Sequence, residues 1–286
     1  MKVAFLGLGV MGFPMAGHLA EKGHDVTVYN RSVPKADHWV AKHRGRQSAS
    51  PAEAVEGAEI VFVCLGDDPD VSMIAAKVAG FMARGAVLVD HTTDSPALAR
   101  RLADELRELG LGFVDAPVSG GQAGAESGKL SIMCGGEEAH VERARPAMES
   151  YAARIVHIGP AGTGQLTKAM NQICIAGAVQ GLSEAVHFAK RAGLDIDRAL
   201  EAISGGAAQS WQMNNRAKTM AADEFDFGFA VDWMRKDLRI TLDEARRNGA
   251  RLPVTALVDQ FYADIQAMGG GRWDTSSLIR RLTDAD

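Results

Sequence analysis

A lysine and two carboxamides stand together at the start of a long apolar segment. Lys168, Asn171 and Gln172 occupy positions i, i+3 and i+4 of a stretch that runs from Gly164 to about Ala192 without a proline. This length and pattern predict one long helix, and residues at these spacings share one of its faces. An ammonium held against a polar substrate is a proton donor, whereas most helical lysines reach solvent. Both interpretations are open at this point.

A glycine-rich turn lies near the N-terminus. The apolar strand from Lys2 to Leu6 leads into this turn, then into a helical pattern and a second strand from Asp25 to Tyr29. This order is that of the dinucleotide-binding unit, whose glycines permit a tight turn and close approach of the pyrophosphate. The alternative is a glycine-rich turn in some other α/β protein. The predicted cofactor-binding residues of the turn are Gly7, Leu8, Gly9, Val10, Met11 and Gly12.

The residues after the second strand indicate which dinucleotide binds. A carboxylate there would bind the adenosine ribose 2′-hydroxyl, but this chain has Asn30, Arg31 and Ser32. There is no carboxylate to repel a 2′-phosphate and there is a guanidinium to pair with it, so NADP is favoured, with NAD as second choice. The alternative is an arginine that simply faces solvent after a strand.

Further polar loops follow strands of the predicted sheet. Leu65 ends a continuous apolar strand and Thr93 follows another, at the carboxyl edge where parallel sheets bind ligands. The hydroxyls around Thr93 could cap the next helix or contact the nicotinamide side of the cofactor. Ser119, Gly120 and Gly121 offer a hydroxyl and unobstructed backbone N–H groups, which fit a small carboxylate but also occur in ordinary loops.

The order of the elements predicts an α/β fold, in which a Rossmann-type doubly wound sheet precedes an all-α domain. Strand patterns recur through the first half and vanish after Gly164. We therefore predict a dinucleotide-binding domain over 1–161 and a helical domain for substrate binding and oligomerisation over 162–286. Further strands are expected at 58–65, 86–90, 130–134 and 155–158, and the segment 112–117 is expected to end another strand. Helices are expected at 98–109, 138–150, 164–192, from about 195, 210–222, 231–248 and 253–268, with a short closing tail near 279–282.

Composition and charge exclude several classes of protein. The chain has 286 residues, 47% of them hydrophobic and 23% charged, and a net charge of −5, which suits two domains of an ordinary folded protein. It has no basic cluster for nucleic acid and no apolar stretch of the ~20 residues that span a membrane. Three widely spaced cysteines in apolar surroundings predict buried free thiols and a cytoplasmic protein. The eight histidines lack ligand spacing, so no metal is expected.

Taken in order, these motifs resemble those of the β-hydroxyacid dehydrogenase family, which includes 3-hydroxyisobutyrate dehydrogenase, tartronate semialdehyde reductase and the glyoxylate/succinic semialdehyde reductases. The resemblance covers nearly the whole chain and rests on four stretches, 7–16 (GLGVMGFPMA), 115–121 (DAPVSGG), 162–171 (GTGQLTKAMN) and 236–238 (KDL). It implies an NAD(P)-dependent oxidoreductase acting on the CH–OH group of a small hydroxy acid, or on the corresponding semialdehyde. It also implies a homodimer or homotetramer.

The resemblance assigns roles to particular residues. Lys168 matches the family's catalytic lysine, and Ser119, Gly120 and Gly121 match the loop that binds the substrate carboxylate. Thr93 matches the threonine beside the nicotinamide ribose.

Two positions of the predicted helical half carry substrate roles by the same resemblance. Lys236 matches a lysine that reaches cofactor and substrate, although the residues alone favour surface charges for Lys236 and Asp237. Asn171 matches a carboxamide that contacts substrate. The family often has two consecutive asparagines where this chain has Asn171 and Gln172, so which of the pair contacts substrate is open.

Two other functions are compatible with the sequence. Imine reductases share this fold and a similar N-terminal motif but usually lack a lysine at the position of Lys168. A non-catalytic NADP-binding module would bind the cofactor without turnover, and it would not need Ser119, Lys168 and Asn171 together.

Overall fold

The computed structural model describes residues 1–283. The chain divides into two compact units, Met1–Lys168 and Ala169–Asp286, and the division falls inside one long helix. The first turn of that helix belongs to the first unit by its contacts. The domain boundary predicted between residues 161 and 162 stays a prediction. None of the helices within 1–283 is both long and apolar enough to cross a membrane.

The first unit is built on one nine-stranded sheet. Its strands are β1 Lys2–Leu6, β2 Asp25–Tyr29, β3 Arg46–Gln47, β4 Ile60–Val63, β5 Val87–Asp90, β6 Gly112–Asp115, β7 Val118–Ser119, β8 Leu130–Gly136 and β9 Ala152–Gly159. They follow the order β3-β2-β1-β4-β5-β6-β8-β7, with β9 paired to β8. The first six strands of this order, from β3 through β1 to β6, are parallel to one another. Strand β8 runs antiparallel to β6 and β7. The first six strands have the order of a Rossmann fold, which confirms the predicted fold class.

Helices connect these strands and cover both faces of the sheet. They are α1 Gly12–Glu21, α2 Val33–Lys42, α3 Pro51–Val55, α4 Asp68–Val78, α5 Pro96–Glu108, α6 Gly121–Glu126 and α7 Glu138–Met148, with a 3₁₀ turn at Ala79–Phe81. Alternate residues of β1 enter two separate hydrophobic cores, Val3 and Phe5 on one face and Ala4 and Leu6 on the other. A strand buried on both faces reads as a continuous apolar run, which is why it was recognisable in the sequence.

The register of the parallel strands brings the predicted site loops to one edge. Tyr29, Leu6, Val63, Asp90 and Asp115 pair with one another in turn across five strands and form a single row. The loops that hold Asn30, the glycine turn, Leu65 and Thr93 all start directly after this row. The sheet therefore gathers segments that are far apart in the chain, as expected at the carboxyl edge of a doubly wound sheet.

Several predicted boundaries differ from the structure. The strand expected over 58–65 is limited to Ile60–Val63, because the apolar run extends beyond the residues that pair with β1 and β5. The segment after Leu65, expected to be a loop, becomes helix α4 at Asp68, where the Asp67 carboxylate accepts the Asp68 N–H. The sequence prediction also omitted α2, α3, α6 and the two-residue strands β3 and β7.

The second unit is helical over the residues described. The long helix α8, Thr163–Arg191, supplies its first part and is followed by α9 Ile196–Ile203, α10 Trp211–Ala221, α11 Val231–Asn248, α12 Pro253–Ala267, a 3₁₀ turn at Thr275–Ile279 and α13 Arg280–Thr283. The Asp195 carboxylate accepts the Arg198 N–H at the start of α9. Gly249 ends α11 in the left-handed conformation, where glycine is favoured.

The N-terminus of α8 is anchored to the end of β6. The Asp115 carboxylate accepts the Gly162 N–H through Oδ1 at 2.8 Å and the Gln165 N–H through Oδ2 at 3.0 Å. A Cβ on Gly164 would lie 2.6 Å from the Asp115 carbonyl oxygen and still closer to that of Met133. Glycine at position 164 is therefore required by the close approach of the helix to the end of β6 and to the middle of β8.

We expect Gly164→Ala to lower the free energy of unfolding by about 1–3 kcal/mol, because the added methyl must displace backbone rather than a flexible side chain. Urea unfolding of the first-unit transition measures this change. Gly80→Ala is the matched control, since a Cβ there meets nothing within 4 Å. The control should change stability by no more than about 0.5 kcal/mol. Equal stability of the two variants would contradict the close approach.

Candidate functional site

The three glycines of the N-terminal turn have different surroundings. Gly7 has a φ of +106°, and its Cβ would collide with the Cys64 carbonyl. A Cβ on Gly12 would collide with the Gly7 carbonyl, so these two glycines are needed by the packing of the turn itself. A Cβ on Gly9 would meet no atom of the protein within 4 Å. Glycine at that position fits the close approach of a dinucleotide pyrophosphate at the start of α1.

The segment after β2 is partly committed to holding the glycine turn. The Asn30 side chain accepts the Leu8 N–H at 2.8 Å and donates to the Ser32 carbonyl at 3.0 Å. Arg31 and Ser32 are exposed. Asn30 therefore joins the two predicted cofactor-binding segments, and its own contact with a cofactor stays a prediction.

The loops after β4 and β5 are joined to each other. The Leu65 N–H donates to the Thr92 hydroxyl at 2.9 Å, and the Thr92 N–H donates to the Asp90 carboxylate at 2.8 Å. Thr93 lies between Thr92 and Asp94, half-buried, whereas its two neighbours are buried. The Thr92 hydroxyl therefore joins the loop after β5 to the loop after β4.

Three buried carboxyl groups lie behind this loop. Asp90, Asp94 and Asp115 are each at most 1% exposed. Burial and the neighbouring Asp90 carboxyl raise the pKa of Asp94 well above its usual range. Burial raises the pKa of Asp115 to about 6, although the N–H groups of Gly162 and Gln165 oppose the shift. The sequence prediction missed this group, because a carboxylate at the end of a strand gives no sign of its burial.

His91 has a structural role in the same loop. Its Nδ1 lies 2.6 Å from the Ala116 carbonyl and its Nε2 lies 2.8 Å from the Tyr151 hydroxyl. Burial lowers the pKa of His91 to about 4, so the imidazole is neutral at pH 7. Among residues 1–283, no group of three or more His, Cys, Asp or Glu side chains is placed to hold a metal ion.

The predicted carboxylate-binding loop lies between β7 and α6. Ser119 is half-buried, and Gly120 and Gly121 have φ values of +129° and +60°, which favour glycine. The His18 Nε2 on α1 lies 3.0 Å from the Ala125 carbonyl and 3.1 Å from that of Glu126, which holds α6 against α1. The loop is therefore fixed to the same helix that follows the glycine turn.

Lys168 is buried, with 8% of its surface exposed. Its Nζ donates to the Val118 carbonyl at 2.8 Å, directly before Ser119 in the chain. The interpretation of Lys168 as a lysine that reaches solvent is therefore wrong. Within the first unit, the Lys168 amine therefore lies at the Ser119 loop, which is predicted to bind a carboxylate.

The other predicted substrate residues belong to the second unit and form a connected group there. The Asn171 amide donates to the Gln172 side-chain oxygen at 2.8 Å, and the Gln172 amide donates to the Asp237 carboxylate at 2.6 Å. Asp237 also pairs with the Lys236 ammonium at 3.3 Å. Gln172 is 1% exposed and Asp237 is 2% exposed. The interpretation of Lys236 and Asp237 as surface charges is wrong, since the Lys236 side chain is only 12% exposed.

The cysteines only partly match the expectation of buried thiols. Within residues 1–283 none of the three is in a disulfide, and Cys134 is buried, Cys64 half-buried and Cys174 exposed. Cys174 lies on α8, whose exposed side also carries Met170. Apolar neighbours in the sequence therefore did not indicate burial on this helix.

Comparisons with known proteins cover both halves of the chain. The model of the NAD-binding domain of 6-phosphogluconate dehydrogenase matches residues 2–159. The model of the NAD-binding domain of NADP-dependent 3-hydroxyisobutyrate dehydrogenase matches residues 162–282. An uncharacterized oxidoreductase of Shewanella frigidimarina is 58% identical over 98% of each chain.

Two relatives carry names that describe an activity. The 2-hydroxy-3-oxopropionate reductase of Escherichia coli is 37% identical and covers 99% of this chain and 97% of its own. The structure of Mycobacterium tuberculosis 3-hydroxyisobutyrate dehydrogenase with L-serine is 31% identical, covers 98% of each chain and superposes with a TM-score of 0.91. The resemblance seen in the motifs is confirmed, and the chain belongs to the NAD(P)-binding hydroxyacid dehydrogenase family that includes 3-hydroxyisobutyrate dehydrogenase.

Proposed function

We propose that the protein transfers hydride between NADP(H) and a small β-hydroxy acid or its semialdehyde, with Lys168 as the general acid or base. The observation that carries this proposal is the position of Lys168, buried and hydrogen-bonded to the residue before Ser119. A buried ammonium at a loop suited to carboxylates gives the first unit both a group that binds an acid and a group that moves a proton.

In the proposed reaction a bound nicotinamide supplies or accepts the hydride. During reduction, negative charge grows on the carbonyl oxygen of the substrate, and the Lys168 ammonium stabilises it and donates a proton. During oxidation a neutral Lys168 accepts the proton of the alcohol. The Val118 carbonyl orients the amine before substrate binds, since it accepts a hydrogen bond from Nζ.

The substrate is proposed to be a small carboxylic acid. Ser119, with the backbone of Gly120 and Gly121, binds the carboxylate, and Asn171 and Lys236 contribute further polar contacts. The Gln172 carboxamide accepts from Asn171 and donates to Asp237, which supports a positioning role for Gln172 and a substrate contact for Asn171. The name of the Escherichia coli relative, a reductase of 2-hydroxy-3-oxopropionate, supports a semialdehyde among the substrates.

The preferred cofactor is proposed to be NADP, with NAD as a weaker alternative. The glycine turn binds the pyrophosphate, Arg31 and Ser32 bind the 2′-phosphate, and Leu65, Thr93 and Lys236 contact the rest of the cofactor. The exposure of the Arg31 guanidinium supports its availability to an anion.

We also propose a cytoplasmic homodimer or homotetramer. None of the three cysteines, all within residues 1–283, is in a disulfide, which is typical of a reducing compartment. A Cβ on Gly177 or Gly181 would meet nothing within 4 Å of the described chain, so α8 presents a small-residue face on which a second helix could pack closely.

Replacing Lys168 by alanine should lower kcat by at least ~10²-fold, the contribution of one general acid–base group, while cofactor affinity is retained. Steady-state rates and a fluorescence titration with NADPH measure the two effects. Lys190→Ala is the control, since this exposed lysine lies near the other end of α8. Unchanged turnover of Lys168→Ala would refute the assignment.

Replacing Arg31 by alanine should raise the KM for NADP(H) by about 10- to 100-fold, the value of a charge-assisted hydrogen bond to phosphate. The KM for NAD(H) should stay within a factor of about two, because NAD(H) lacks the 2′-phosphate. Kinetics with both cofactors on one preparation provide the internal control. Equal changes in the two KM values would show that Arg31 does not bind the 2′-phosphate.

A substrate panel separates the proposed reaction from its two rivals. Short 2- and 3-hydroxy acids, semialdehydes and cyclic imines are assayed with each cofactor at the absorbance band of reduced nicotinamide. We expect turnover of hydroxy acids or semialdehydes and none of imines. Turnover of imines alone would favour an imine reductase, and cofactor binding without any turnover would favour a non-catalytic NADP-binding module.

A further inference from the structure

The Gln165 side chain contacts the backbone on both sides of Thr93. Its amide donates to the Thr92 carbonyl at 2.7 Å, and its side-chain oxygen accepts the Asp94 N–H at 3.3 Å. These are the backbone groups immediately before and after Thr93 in the chain. Gln165 is 2% exposed, so solvent does not provide a ready substitute for either hydrogen bond.

The same turn of α8 also contacts the end of β6 and the residue before Ser119. The Gln165 N–H donates to the Asp115 carboxylate at 3.0 Å. Three residues further along, Lys168 donates to the Val118 carbonyl at 2.8 Å. Residues i and i+3 of a helix lie on one face, so the contacts to the Thr93 loop and to the Ser119 loop come from one rigid turn.

We propose that Gln165 is a positioning residue that fixes Thr93, and through it the nicotinamide side of the cofactor, relative to the Lys168 amine. This inference rests on the proposed function, in which Thr93 contacts the cofactor and Lys168 moves the proton. Gln165 touches neither reacting group. Gln165 and Lys168 lie on the same helix turn and bind the Thr93 loop and the Ser119 loop, respectively. The distance between these two loops is therefore fixed.

The chemistry of the site requires a carboxamide at position 165. The side chain must donate to a carbonyl and accept from an N–H at the same time, which a carboxylate or a hydrocarbon cannot do. The acidic groups around this loop are the carboxyl groups of Asp68, Asp90, Asp94 and Asp115. An ionised glutamate at position 165 would add a buried negative charge to this group and would lack a donor for the Thr92 carbonyl.

A binding comparison tests the proposal without turnover. The dissociation constant of Gln165→Met is measured for NADP⁺ and for 2′-phospho-ADP-ribose, the same molecule without nicotinamide. NADP⁺ should bind about 10-fold more weakly, the effect of losing about 1.4 kcal/mol, and 2′-phospho-ADP-ribose should change less than about twofold. If the wild-type protein prefers NAD⁺, NAD⁺ and ADP-ribose replace this pair. Equal weakening of both ligands, or no change in either, would overturn the proposal.

One control variant and one further test variant accompany this comparison. Gln180→Met lies on the same helix and removes only an exposed hydrogen bond to Glu184, so both affinities should stay at the wild-type value. Gln165→Asn keeps the carboxamide but is one methylene shorter, and it should show the same selective loss for NADP⁺. If the methionine variant does not fold, the asparagine variant decides the question by the same criterion.

A double-mutant cycle shows whether Gln165 acts through Thr93. The ratio of kcat/KM between wild type and Gln165→Met is compared with the ratio measured in a Thr93→Val background. We expect the second ratio to fall below about twofold, because residues that act as one unit are not additive. The kinetic isotope effect measured with deuterated reduced cofactor should be larger in the single variant Gln165→Met than in wild type. Multiplicative rate losses and an unchanged isotope effect would indicate a purely structural role.

These measurements separate the inference from the proposed function. If wild type turns over no hydroxy acid or semialdehyde, the proposed function fails, and the binding comparison still tests the link between Gln165 and the nicotinamide side. If wild type is active and the binding comparison shows no selective loss, the positioning role fails and the proposed function stands.

Discussion

The first unit depends on one buried carboxylate at the end of a strand. Asp115 ends β6 and accepts two N–H groups at the start of α8. A helix N-terminus has N–H groups without helical partners, and a buried one must find acceptors elsewhere. Asp115 provides them from the sheet, and Gly135 and Gly164 lack the Cβ atoms that would obstruct the approach. The location of Lys168 is therefore set by the sheet rather than by a flexible loop.

The second unit shows a different use of polar groups. Gln172 and Asp237 are buried and joined by a 2.6 Å hydrogen bond, with Asn171 and Lys236 attached on either side. A buried charge without partners would be costly, and this group supplies partners for each member. The longer carboxamide of Gln172, compared with the asparagine that the family often has, supplies the reach that this arrangement uses.

The fold was largely predictable, because its central strands are continuous apolar runs separated by helical patterns. The glycine turn was recognisable because it stands between a predicted strand and a predicted helix. The burial of individual polar residues was not predictable. Charged residues such as Lys236 and Asp237 usually lie on the exposed face of a helix. Their burial follows only from the packing of α11 within its unit. Gln165 and Asp94 were missed because their partners are distant in sequence. The short helices α3 and α6 were missed because they have too few turns to show a period.

The Asn30 amide has a consequence for changing the coenzyme by mutation. The usual exchange would place a carboxylate after β2 to bind a free ribose hydroxyl. At position 30 a carboxylate would still accept the Leu8 N–H, but it would have no donor for the Ser32 carbonyl. The proposed selectivity for the adenosine end and the conformation of the glycine turn are thus coupled through the Asn30 side chain. Redesign at this position would alter both together, whereas redesign at Arg31 would leave the glycine turn intact.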